Sequence, residues 1–111
     1  MTDITMCISG AVMELCANGH AGYADPGKDI VCAAASCLIN TLMLALNAQT
    51  SPPTEIGFNA GDGGGPPLTI HCRASPEDRP AAEMMFKTIG CGLEALAYKY
   101  PEHVRFTLRQ N

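Results

Sequence analysis

Apolar and polar positions alternate over residues 4–9 and again over residues 12–18, with Gly10 between the two runs. That period of two predicts a pair of strands joined by a tight turn. In the second run Val12, Glu14 and Cys16 alternate with Met13, Leu15 and Ala17, so both faces are largely apolar. Cys7 and Cys16 read as small buried hydrophobes of this hairpin. Beyond a loop over residues 21–28 the spacing turns helical, and residues 30–48 form a long apolar helix. Val31, Ala34, Ala35, Leu38, Leu42 and Ala45 make its buried stripe, while Ile39, Met43 and Leu46 fall outside that stripe. A helix apolar over more than one face is covered on more than one side, and in so small a chain a second copy could supply the second cover. The expected assembly is a homodimer.

Ser51, Pro52 and Pro53 end the helical region. Residues 55–59 and 68–73 read as a second hairpin around a glycine- and proline-rich turn over residues 61–67. The run Gly63, Gly64, Gly65 is no phosphate loop, because no Lys-Ser/Thr pair follows and a strand comes next. Ser75 with Asp78 suggests a capping box, and residues 80–100 a second helix burying Ala82, Met85, Phe86, Ile89, Leu93, Leu96 and Ala97. Gly90 and Gly92 mark close packing against another backbone, and Pro101 stops the helix. Residues 104–108 close the pattern as a last strand. The elements predict an α+β two-layer sandwich over residues 1–111, a single domain with two helices on a mixed or antiparallel sheet of about five strands.

Composition narrows the function. With 111 residues, 47% hydrophobic, the chain suits a folded protein with a real core. A net charge of −4 argues against a nucleic-acid partner bound by phosphate neutralisation. The apolar first helix approaches the roughly 18 residues that raise the question of a membrane span. Asn40, Thr41 and Asn47 interrupt it and no aromatic anchors flank it, so a buried helix is the expectation and no membrane is implied. No basic segment leads into an apolar signal core, which points to the cytoplasm and to six free cysteines. Their spacings include no C-x-x-C pair.

The chemistry gathers between Gly19 and Ser36. Asp29 is an N-cap type, which places Cys32 in the first turn of the long helix. Unpaired backbone N–H groups and the helix dipole there favour an anion, and thiolate is the nucleophilic form of cysteine. His20 can approach across the short loop, which contains Gly22, Tyr23, Pro26 and Gly27. A Cys–His nucleophilic site follows. The plain alternative makes Cys32 a small buried residue like mid-helix Cys37 and Cys91, and His20 a loop histidine. Asp29 either caps only or turns to orient His20, and Ser36, one turn past Cys32, either serves the site or bonds back to a helix carbonyl. His71 and His103 read as structural or surface residues. A metal held by His20, Cys32 and His71 or Cys72 is disfavoured, since adjacent strand residues point to opposite faces. No metal and no cofactor is called for.

The order Gly19-His20-Ala21, then Asp29-Ile30-Val31-Cys32-Ala33-Ala34, then Ser36, resembles the bacterial ribosomal-processing cysteine proteases of the Prp family, and the likeness runs over nearly the whole chain. It implies a compact α+β homodimer with Cys32 as nucleophile and His20 as general base and acid. Asp29 and Ser36 are then supporting residues, and the 21–28 loop, with Gly22, Tyr23 and Gly27, orders on substrate. It implies removal of a short N-terminal extension from the precursor of large-subunit ribosomal protein twenty-seven. Phenylalanines just before the cut would require an apolar groove. The competing expectation is a non-enzymatic ribosome-assembly or protein-interaction module built on the same motif.

Overall fold

A computed structural model describes residues 1–19, 29–61 and 67–111. Its elements in order are β1 (Thr2–Ser9), β2 (Val12–Asn18), α1 (Ile30–Gln49), β3 (Glu55–Asn59), β4 (Leu68–Arg73), α2 (Arg79–Lys99) and β5 (Val104–Gln110). The strands form one sheet in the order β3-β4-β2-β1-β5. All neighbours are antiparallel except β1 and β5, which run parallel. Two helices on a mixed five-stranded sheet give the expected α+β architecture. The expected bounds hold to within two residues. β1 begins earlier than its alternation suggested because Thr2 already pairs with Val104.

The first hairpin is closed by Gly10 and Ala11 between the paired residues Ser9 and Val12. Gly10 has φ +60°, and a glycine at the first central position is what this two-residue turn requires. Alternation then sends Ile4, Met6, Ile8, Met13, Leu15, Ile70 and Cys72 into one core with the inner faces of both helices. The opposite face of the sheet is largely polar, carrying Glu14 paired with His71 at 2.9 Å and Asp3 with Arg105 at 3.5 Å. Cys7 and Cys16 lie on that outer face, half-buried rather than in the core, while Cys72 is fully buried.

The buried stripe of α1 differs from the expected one. Val31, Ala35, Ile39, Leu42 and Leu46 are buried, so Ile39 and Leu46 face the core, and Ala34, Leu38 and Ala45 flank it half-buried. The reason is the second helix. A Cβ placed on Gly92 of α2 would stand 2.9 Å from Leu38 Cδ2, so α1 shows one apolar stripe to the sheet and another to α2. Gly90 likewise admits the side chains of Met6 and Phe106. These glycines make room for side chains, not for the neighbouring backbone that had been expected. By length and composition alone α1 could cross a membrane, with a mean hydropathy of 1.9, but its core-facing stripe packs inside the protein. Leu44 remains 63% exposed on its outer side.

Ser75 and Asp78 form only half of a capping box. Ser75 Oγ accepts from the Asp78 amide at 3.2 Å, but the Asp78 carboxylate turns away to Thr54 Oγ1 at 2.5 Å and Ser51 N at 3.2 Å. Thr54 Oγ1 in turn accepts from the Ser75 amide at 2.9 Å. This cluster ties the α1–β3 connection to the start of α2. The Thr54 hydroxyl first, and the Ser51 amide next, hold the Asp78 carboxyl below its ordinary range. A carboxyl so depressed stabilises the fold above its unfolded pKa of about 4 and ceases to do so as pH falls through the folded value. We therefore expect Asp78→Asn to be less stable than the parent at pH 7, with the gap closing below about pH 4. Urea midpoints that differ equally from pH 7 down to pH 2 would rule this account out.

Candidate active site

Asp29, with φ −82° and ψ 95°, is the N-cap of α1 as expected. Its Oδ1 accepts from the Cys32 amide at 2.9 Å, and its carbonyl accepts from Ala33 N at 3.0 Å. The cap thereby fixes Cys32 at the third helical position, half-buried and packed against the edge of the core. The Cys32 N–H, a natural oxyanion donor, is engaged by the Asp29 carboxylate here.

Cys32 opens into a cleft of about 210 Å³. One wall is α1, where Cys32, Ser36 and Asn40 follow one another at single-turn intervals beside Ala35 and Ile39. The facing wall comes from Ala60, Gly61, Pro67 and Leu68 around the β3–β4 connection, and the end from Thr2, Ala17, Asn18 and Gly19. The lining is mixed, with aliphatic walls and a polar row. Ser36 makes no bond back to a helix carbonyl among the described residues, in contrast to Thr41, whose hydroxyl donates to Cys37 O at 2.7 Å. Its hydroxyl is left for the cleft.

Gly19 ends β2 with φ +84°, and a Cβ there would lie 2.4 Å from the Met1 carbonyl oxygen. Only glycine lets the chain leave the strand in this direction. His20, Gly22, Tyr23 and Gly27, singled out in the sequence, lie outside the described residues. Of the expected site, the structure thus brings Cys32 and Ser36 into one cleft, with Asp29 bonded to the Cys32 amide. Thr2, Asn18 and Asn40 were not anticipated. Asn40 could have been found from its eight-residue spacing to Cys32, whereas nothing in the local pattern marks Thr2.

The other cysteines are set apart from the cleft. Cys37 and Cys91 are solvent-exposed, contrary to the burial expected for mid-helix cysteines, because both sit on outward faces of their helices. Burial, reinforced by the negative Asp78, pushes the Cys72 thiol up and keeps it protonated. His71 and Cys72 point to opposite sides of the sheet, His71 to Glu14 and Cys72 to the core, so they cannot share an ion.

Known proteins resemble this chain in sequence and fold. The family model of cysteine protease Prp matches residues 1–105. Ribosomal processing cysteine protease Prp of Staphylococcus aureus is 29% identical over 107 residues, covering 96% of each chain. Among solved structures, an essential ribosomal processing protease Prp from S. aureus, in complex with a covalently linked product peptide, superposes with a TM-score of 0.79 at 26% identity. That match covers 98% of this chain and 100% of the other. A Streptococcus mutans protein shares the fold, with a TM-score of 0.74 at 24% identity over 100% of this chain and 96% of its own. A cysteine in the first turn of a capped helix, opening into a cleft beside the end of β2, is therefore found in a chain that belongs to the cysteine protease Prp family.

Proposed function

We propose that this protease removes the N-terminal extension of the precursor of large-subunit ribosomal protein twenty-seven, working in the cytoplasm through a Cys32–His20 dyad. The observation that carries the reading is the placement of half-buried Cys32 in an open cleft at the capped start of α1. The Cys32 thiolate attacks the scissile carbonyl carbon, and the C–N bond breaks as His20 gives its proton to the departing amine. Water, deprotonated by His20, then hydrolyses the thioester and returns the thiol. Of the first-turn amides, those of Ile30 and Val31 have no place in the helix ladder, so they are the donors for the developing oxyanion while Asp29 holds the Cys32 amide. Ile39, Pro67 and Leu68 supply apolar surface for bulky residues before the cut, and Gly22, Tyr23 and Gly27 belong to the loop assigned to substrate by the family resemblance.

The outward side of α1, with exposed Leu44, supports assembly as a homodimer. The dyad uses no metal or cofactor, and no nucleic acid or membrane takes part. The test is mass spectrometry after mixing the protein with its host's precursor. The expected result is one cut near the precursor's N-terminus. Stable binding of the precursor without cleavage would replace this reading with that of a binding module.

A further inference from the structure

The cleft contains a buried polar group that the dyad does not use. Thr2 stands on the helix-facing side of β1, in the row continued by Ile4, Met6 and Ile8, all of them apolar and buried. The residue is only 6% exposed, and its Oγ1 has no hydrogen-bond partner among the described residues. The backbone is provided for, since Thr2 N donates to His103 O at 2.9 Å. Valine would fill the same space without carrying a hydroxyl out of water. A buried hydroxyl left unpaired is costly, and such groups are rare enough in folded proteins that each asks for a reason. Here the reason is its position, because Thr2 lines the same cleft as Cys32, Ser36 and Asn18.

We propose that the Thr2 hydroxyl is a substrate-binding group, donating to a backbone carbonyl of the peptide laid in the cleft next to Cys32. This rests on the reading of the cleft as a protease site. A backbone partner suits the geometry. An extended peptide presents carbonyls at regular intervals whatever its side chains, and the opposing wall of Pro67 and Leu68 has no side-chain donor to compete for them. In the free protein the hydroxyl is unsatisfied among the described residues and sealed from water, so a turn about Cα–Cβ brings it to the cleft as the peptide binds and satisfies it. Thr2 thus holds the peptide in register while the side-chain pockets select it.

The experiment compares wild type, Thr2→Val and Thr2→Ser on a synthetic peptide spanning the precursor's N-terminal extension, with steady-state kinetics and thermal melts of the free proteins. Loss of one neutral hydrogen bond should lower kcat/KM of Thr2→Val by about 3–10-fold, mainly through KM, while Thr2→Ser recovers most of it. The melting temperature of free Thr2→Val should equal or exceed that of wild type, because the substitution removes an unpaired hydroxyl rather than a contact. Unchanged kcat/KM in Thr2→Val beside an active wild type would overturn the assignment and leave the protease reading intact. A lower melting temperature would also overturn it, by revealing a structural partner for the hydroxyl. Failure of wild type itself to cut the peptide would remove the protease reading, and this assignment with it.

Discussion

Cys32→Ala should lose cleavage of the precursor altogether, with kcat/KM falling by roughly 10⁴-fold or more, and His20→Ala should fall to a similar floor. The loss is large because acyl transfer through a thioester has no substitute route once the sulfur is gone. Residual binding and oxyanion donors cannot supply a nucleophile. The two losses should not add, since base and nucleophile act as one unit, and the double variant should resemble either single one. The fold gives the control. Cys37 and Cys91 are exposed on outward helix faces away from the cleft, so Cys37→Ala and Cys91→Ala should cleave at rates within about twofold of wild type, as surface substitutions usually do. A time course of intact-mass measurements on precursor and product decides the matter. Cleavage retained in Cys32→Ala, with the protein shown folded, would sink the mechanism.

Gly19→Ala should be the most damaging glycine-to-alanine change among the described residues. The residue has φ +84°, where an L side chain costs about 1–2 kcal/mol, and its new Cβ would lie 2.4 Å from the Met1 carbonyl oxygen. Backbone cannot swing aside as a flexible side chain can, so the ends of β1 and β2 must part, adding about 1–3 kcal/mol. Gly10 separates the two terms. It has a comparable φ of +60° but nothing within 4 Å of an added Cβ, so Gly10→Ala should show the conformational cost alone. Urea unfolding should therefore rank wild type above Gly10→Ala, and Gly10→Ala well above Gly19→Ala. Activity should separate them more sharply, because Gly19 and its neighbour Asn18 form one end of the cleft and Gly10 sits at the far end of the hairpin. Equal midpoints for the two alanine variants would show that β1 and β2 yield easily at Met1.

Local chemistry explains why so much of this architecture could be anticipated. Gly10 announces the hairpin, Asp29 the start of α1, the double proline its end, and Pro101 the end of α2, and each signal acts over one or two residues. The cap also placed Cys32 correctly before any fold was known. What failed depended on partners distant in sequence. The buried stripe of α1 could not be assigned without knowing that Gly92 would admit Leu38. The cysteines of the first hairpin and of the helices looked alike as apolar residues, yet only Cys72 points from its strand into the core. Asp78 looked like half of a cap and proved to be a link to Thr54 and Ser51. The unpaired hydroxyl of Thr2 is invisible in an alternating strand, since threonine and valine fit the pattern equally well.

The parallel pairing of β1 with β5 has a consequence for how the enzyme comes into being. Thr2 is registered with Val104 and Ile8 with Gln110, so the most distant parts of the chain lie side by side. Closing so long a loop costs entropy before any contact offsets it, and contacts of high sequence separation slow folding. During synthesis the hairpin of β1 and β2 can form early, but one edge of β1 stays open until residues 104–110 have left the ribosome. Thr2, at one end of the cleft, acquires its backbone anchor at His103 only then. The nascent chain is therefore an incomplete protease until residues 104–110 have been made, and activity should appear abruptly at that point along a series of stalled nascent chains rather than growing with length.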